Sequence, residues 1–278
     1  MTSTATASNV GEECGVRERP WLATAALARR EWVRFVRQRN RVFGAIGQPI
    51  IFWLLFGAGL GPSFRWTAAA GDMSYREYFF PGTLILILLF TAIFTTISII
   101  EDRREGFLQS VLVAPVPRWA TVLGKLLGGS LIALAQGMLF LLLAPTLGLS
   151  LTPLSLLSAT AFLFAVAFGL TGLGFVLAWR LDSTQGFHAV MSVLLMPMWL
   201  LSGAFFPAES GVLGWIVRLN PLTYGVAGLR QMLYWGSVAP PAGMPSLALC
   251  WGVTLAFALL TFAAAWHTAG RRTTGDLL

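Results

Sequence analysis

Glu101, Asp102, Arg103, Arg104 and Glu105 are five consecutive ionisable side chains at the end of one long apolar run, and a second run opens near Lys125. The chemistry they offer is electrostatic. A buried soluble core would not take five adjacent charges between two such runs. A turn between two membrane spans would, because the charges stay in water on the cytoplasmic side, where positive ones are favoured. Gly106 then interrupts the block, and Phe107, Val111 and Ala114 recur at spacings of 4 and 3. Pro115 and Pro117 stop this short segment before Arg118.

Residue patterns for catalysis are absent. His188 and His267 stand far apart in sequence with no Cys or carboxylate cluster beside them, so no metal site is expected. Cys14 and Cys250 are too few for a disulfide scaffold and read as free thiols. No HExxH, GxSxG or Walker-type glycine–lysine loop occurs, so intramembrane hydrolysis and self-contained ATP hydrolysis both lack their residues. If the chain moves a solute against a gradient, another chain must supply the energy.

The elements that would position the charged turn are membrane helices. The 278 residues are 56% hydrophobic and 11% charged, against about 45–50% and about 25% in soluble domains. Six apolar runs, near 42–61, 79–100, 122–144, 153–179, 187–206 and 246–267, each approach the roughly 20 residues that cross a bilayer. Gln48-Pro49 in the first and Pro197 in the fifth predict kinks. Gly124 and Gly128, or Ala165 and Gly169, are small pairs that let helices approach closely. By these boundaries no Asp or Glu lies within a span, which argues against a carrier coupled to protons or sodium.

Ahead of the spans, residues 21–41 predict an amphipathic helix in the bilayer interface. Trp21, Ala25, Ala28, Trp32 and Val36 form its apolar stripe, and Arg30, Arg34, Arg37 and Arg41 lie roughly opposite. A helix packed on a soluble partner is the alternative. Between spans five and six, Trp215, Ile216 and Leu219 suit one short helix, and Leu222, Val226, Leu229 and Leu233 suit a second. Asn220-Pro221 fits the start of that second helix, and both are expected in or on the outer leaflet. Residues 1–19 and 271–278 read as cytoplasmic tails around a single membrane domain, 20–270. The net charge of +7 is unevenly placed: fifteen of the nineteen Lys and Arg fall on the inferred inner side, so both termini are expected there. The basic excess thus suits an anionic membrane face rather than nucleic acid.

This order of elements resembles the membrane subunits of type-2 ATP-binding-cassette exporters, most closely the drug-resistance and lipo-oligosaccharide export permeases. Two stretches carry the likeness. One is Arg104-Glu105-Gly106-Phe107-Leu108 through Val113-Ala114-Pro115-Val116-Pro117-Arg118 to Leu123-Gly124-Lys125. The other is Ser202-Gly203-Ala204-Phe205-Phe206-Pro207 with Asn220-Pro221-Leu222-Thr223-Tyr224 and Arg230. Gln109-Ser110 departs from the acidic residue that members often have there.

The resemblance implies an all-α polytopic fold of six spans, working as a homodimer with two ATPase subunits that hold ATP and Mg; no cofactor is expected on this chain. It implies a coupling helix over Gly106–Ala114, seated in a cleft of the ATPase. Glu101, Arg103, Arg104 and Glu105 would set its charge register through charge pairs, and Arg118 would belong to the same coupling stretch. Phe107, Leu108 and Val111 would supply apolar contact, and Pro115 would stop the helix. At the outer end it implies a gate at Pro207, Asn220, Pro221, Tyr224 and Arg230. Capping and anchoring are the plainer reading for Asn220 and Tyr224. Phe52, Trp53 and Phe56 would lie near the substrate path, and the implied activity is export of a hydrophobic or amphipathic molecule.

Overall fold

Ser74 and Glu77 start the helix around which the others pack: the Ser74 hydroxyl accepts from the Glu77 amide, and the Glu77 carboxylate accepts from the Ser74 amide. This reciprocal cap satisfies two amide donors that a helix start leaves open. The computed structural model describes residues 19–59, 74–149, 151–205, 212–234 and 244–270. In chain order the helices are α1 Pro20–Arg37, α2 Arg39–Gly59, α3 Tyr75–Arg104, α4 Phe107–Val113 and α5 Arg118–Leu141. They continue as α6 Pro153–Arg180, α7 Thr184–Trp199, α8 Val212–Leu219, α9 Pro221–Leu233 and α10 Leu247–Gly270. A short 3-10 turn, Ala144–Leu147, follows α5, and a π turn, Leu200–Ala204, follows α7. Among the described residues there is no strand.

Six of these helices are long and apolar enough to cross a membrane, as expected. They are α2, α3, α5, α6, α7 with its π turn, and α10. The central one is α3, whose side chains are buried almost without interruption from Tyr75 to Asp102. Around it, α6 packs on α3, α5 and α10, and α2 and α7 lie against α3.

Several expectations change in detail. Helix α3 runs past its apolar run at both ends, so Glu77, Glu101 and Asp102 belong to the helix; at 30 residues it exceeds the roughly 20 that cross hydrocarbon, and these acids occupy its first and last turns. The first amphipathic helix stops at Gln38, and α2 begins one residue later. A third face of α1, carrying Thr24, Leu27, Glu31 and Phe35, is buried, and α1 packs on α5. Its outward side keeps Trp21, Trp32 and Val36 exposed. Arg30 and Arg34, assigned above to a polar face, turn inward. Pro197 lies inside α7, and the chain leaves helical geometry at Gly203, whose φ of 74° breaks the π turn that follows. The second outer helix, α9, buries Leu222, Val226, Leu229 and Leu233 against α6 and α10, so it packs into the bundle rather than lying on its surface.

The glycine pairs do act as contact points. A Cβ on Gly124 would sit 2.8 Å from the Thr24 carbonyl, and one on Gly128 would sit 2.8 Å from Glu31 Cβ. Gly124→Val is therefore expected to cost about 1–3 kcal/mol by pushing α1 off α5. Gly252→Ala, where a Cβ meets nothing, is the internal control. Thermal melting of the two detergent-solubilised variants compares them, and equal midpoints would contradict the close approach.

Candidate coupling site

Asp102 is the centre of the charged end of the bundle. It sits on the last turn of α3, fully buried, and three cations from two other helices close on it. Arg30 meets it as a fork, Nη1 to Oδ2 at 3.0 Å and Nη2 to Oδ1 at 2.7 Å. Arg34 Nη1 donates to Oδ1 at 2.7 Å, and Lys125 Nζ donates to Oδ2 at 2.5 Å. Lys125 also bonds Glu31 Oε1 at 2.8 Å, and Arg34 Nη2 reaches Glu101 Oε2 at 2.7 Å. Three cations thus face three carboxylates. That balance is what buried charge needs, since an unmatched ion loses its hydration with no return.

The cluster ties three helices to the charged turn. The i, i+4 pair Arg30 and Arg34 comes from α1, the carboxylates Glu101 and Asp102 from α3, and Lys125 from α5. Arg30 also lies over the Phe107 ring at 3.7 Å, which fastens the start of α4 to the same cluster. Gly106 joins α3 to α4 with φ 73°, a left-handed conformation that glycine adopts without strain. Leu108 is buried against the bundle and Phe107 is partly covered. Glu105, Gln109, Ser110, Val113 and Pro115 face outward, Val113 with 87% of its surface open.

The residues expected to meet a partner therefore divide. Glu101, Arg103, Arg104 and Arg118 are engaged within the chain: Arg103 bonds Asp182 and the Trp179 carbonyl, and Arg104 the Asp182 carbonyl. Arg118 caps the α10 carbonyls of Ala269 and Gly270. Val111 is half-buried and Pro115 is exposed just past α4. Glu105 keeps 62% of its side chain open and lies 3.7 Å from Arg34. Sequence alone places Asp102 and Lys125 only in the charged block and at its border, without a role of their own, and does not single out Glu31. Their signal was a helical spacing of charges running past the apolar windows.

At the other end, Gly203 organises the outer motif. Its carbonyl accepts from the Tyr78 hydroxyl at 2.9 Å and from Arg230 Nη2 at 3.2 Å. Arg230 also bonds the Tyr78 carbonyl at 3.2 Å and stacks over the Tyr78 ring at 4.2 Å. Trp199 Nε1 donates to the Gly82 carbonyl at 2.9 Å, fixing the other side of the π turn to α3. Asn220 caps α9, accepting from the Leu222 amide at 3.0 Å, and its amide reaches the Met198 carbonyl; Pro221 opens the helix. The Tyr224 hydroxyl bonds the Arg218 carbonyl at 2.8 Å, closing the end of α8. Pro207 lies outside the described residues. Arg230→Met should cost about 1–3 kcal/mol by removing the charge-assisted bonds to the Gly203 and Tyr78 carbonyls and the stacking on the Tyr78 ring. The same thermal melt checks it, and a wild-type midpoint would deny Arg230 this role.

Of the aromatic residues in α2, Trp53 is buried among Phe80 and Phe140 and donates to the Arg76 carbonyl at 3.2 Å. Phe52 and Phe56 stack on each other and are half-covered. Phe56 meets Phe205 edge-on at 4.8 Å, next to the π turn. Among the described residues no cluster of His, Cys, Asp or Glu could hold a metal.

A bundle of six apolar helices joined by such turns is the architecture of a polytopic membrane protein. Residues 23–234 match the ABC-2 type transporter family, and the chain belongs to it. Similar proteins include ycf38 of Cyanophora paradoxa, 29% identical over 73% of this chain and 71% of the relative. The inner membrane transport permease YadH of Escherichia coli is 26% identical over 76% of this chain and 82% of its own. The daunorubicin resistance ABC transporter permease protein DrrB1 of Streptomyces coeruleorubidus is 24% identical, over 78% of each chain. The chain is thus a membrane transport permease of the ABC type.

Proposed function

We propose that this permease is the membrane half of an ATP-driven exporter, moving a hydrophobic or amphipathic molecule such as a drug, a lipid or a lipid-linked glycan. The working unit is two copies of this chain with two copies of a separate ATPase that holds ATP and Mg. It lies in the cytoplasmic membrane of a prokaryote with both termini and the Asp102 end inside, in keeping with the fifteen-to-four placement of Lys and Arg. The observation that carries the reading is α4. It is a short helix hung between two spans, braced from behind by Arg30 on Phe107, with Glu105, Gln109, Ser110 and Val113 left open. A brace of this kind passes a push on α4 to the adjoining ends of α1, α3 and α5, favouring one packing of the spans over another. The name of DrrB1, which speaks of daunorubicin resistance, supports a small exported molecule.

A carrier driven by an ion gradient is not favoured by the acids found in α3, because Asp102 is already held by three cations. The deciding experiment co-purifies the chain with the ATPase encoded beside it, in nanodiscs, and measures ATP hydrolysis against lipids, a lipid-linked glycan and amphipathic drugs. A stable complex whose activity one class changes is the expected result. Failure to form any complex would return the chain to a gradient-driven carrier or a non-transporting anchor.

A further inference from the structure

A row of polar side chains runs from the ion cluster into the bundle. Thr91, Thr95, Ser98 and Asp102 recur on α3 at spacings of 4, 3 and 4, so they share one helix face. All four are buried, and they extend over about 16 Å of helix. Across from them α5 presents Lys125, Gly129 and Gln136 at the same helical interval. A Cβ on Gly129 would lie 2.9 Å from the Thr95 hydroxyl and 2.7 Å from the Thr171 methyl. Thr91 and Gln136 hydrogen-bond at the far end of the row. Between Phe79 and Ile100 the other residues of α3 are apolar apart from Thr83 and Thr96.

Two small cavities open along this row, each of about 10 Å³, close to the room one water molecule needs. The first is lined by Thr95, Thr96, Ser98, Lys125 and Thr171, with Phe175 as an apolar wall. The second is lined by Glu31, Arg34, Gln38, Thr95 and Ser98, with Phe35 as a wall. Thr95 and Ser98 belong to both. The hydrogen-bonding demand on each side is unbalanced in a way water corrects. Lys125 has three donors, of which the Glu31 and Asp102 bonds use two. Thr95, Thr96 and Thr171 each donate to their own helix backbone and keep oxygen lone pairs to accept. The Gln38 side-chain oxygen is buried with no partner.

We propose that water occupies both cavities, and that the first of them, between α3 and α5, hydrates the plane on which α3 slides against α5 when α4 is pushed. The sliding rests on the coupling reading above; the hydration does not. The turn that would take the push joins just these two helices. Interlocked apolar side chains resist such a shift because the interior is close-packed. Water-bridged hydroxyls exchange one partner for another at little enthalpic loss.

The test is X-ray radiolytic hydroxyl labelling of the complete permease with its ATPase in nanodiscs, read by mass spectrometry. Water at the cavity should oxidise Phe175 although it is buried, while Phe162, equally buried and lining neither cavity, stays unlabelled. Ser98→Val should abolish the Phe175 signal, and Thr95→Val, close in volume, is the second variant should Ser98→Val fail to assemble. Phe175 as inert as Phe162 in the wild type would overturn the hydration. Labelling lost in the variant with ATP-driven transport unchanged would overturn the sliding role. A wild type that shows labelling but no ATPase stimulation would sink the coupling reading and leave the water site standing.

Discussion

Asp102→Asn is expected to lower the stability of the solubilised protein by about 3–5 kcal/mol, the loss that follows when one partner of a buried ion cluster is removed. The substitution keeps the shape and one acceptor oxygen, so packing is not what it tests. It leaves Lys125, 5% exposed, with Glu31 alone and sets a neutral amide against two guanidiniums. Lys125→Met removes charge from the other side and should cost less, because Arg30 and Arg34 still neutralise Asp102. The double variant should then be more stable than Asp102→Asn by itself, since the stranded ammonium is gone, and the cycle isolates that coupling. Thermal melting by fluorescence-detected gel filtration measures all three. A wild-type midpoint for Asp102→Asn would mean that the cluster is a solvated turn after all.

Asp102 also marks where a sequence reading of this chain stops. The six spans were legible because a helix in lipid must be apolar over roughly 20 residues, and the order of elements was legible with them. Their ends were not. Glu77 and Asp102 lie inside α3, yet an apolar window ends where charge begins, and only the Ser74-x-x-Glu77 cap hints at the true start. For α1 the exposed apolar stripe was read correctly, but its buried face was hidden because Thr24 and Glu31 are polar. Their burial depends on Gly124 and Gly128 of α5, nearly a hundred residues away. Gly203 was quoted as part of a motif, but the partners of its carbonyl, Tyr78 and Arg230, come from α3 and α9, which no local spacing brings together. Of the charged turn, Gly106, Phe107 and the stop at Pro115 were legible as a unit. Which of its charges stay free for a partner was not, because that depends on where Arg30 and Asp182 arrive in space.

Glu105→Arg is expected to abolish stimulation of the partner ATPase while leaving the permease inserted and folded. Glu105 is the charge at the turn that the chain leaves mostly open, and its contact with Arg34 is long, at 3.7 Å. An exposed pair of this kind contributes no more than about 1 kcal/mol to folding. Reversing its sign replaces the open carboxylate with a guanidinium on the surface proposed to dock the ATPase, so a cation of the partner that pairs with Glu105 would meet a like charge. Gly106→Pro reaches the same end by geometry. Proline holds φ near −65° and cannot take the 73° that Gly106 needs, so α4 must leave the turn in another direction. Gly106→Ala separates aim from volume: its Cβ meets nothing, and the left-handed conformation costs it roughly 1–2 kcal/mol, so stimulation should survive in part. Gel filtration and melting establish that the bundle is intact, and ATP hydrolysis in nanodiscs reads the coupling. Full stimulation in both Glu105→Arg and Gly106→Pro would remove α4 as the contact, and the brace from Arg30 to Phe107 would then be a structural clamp alone.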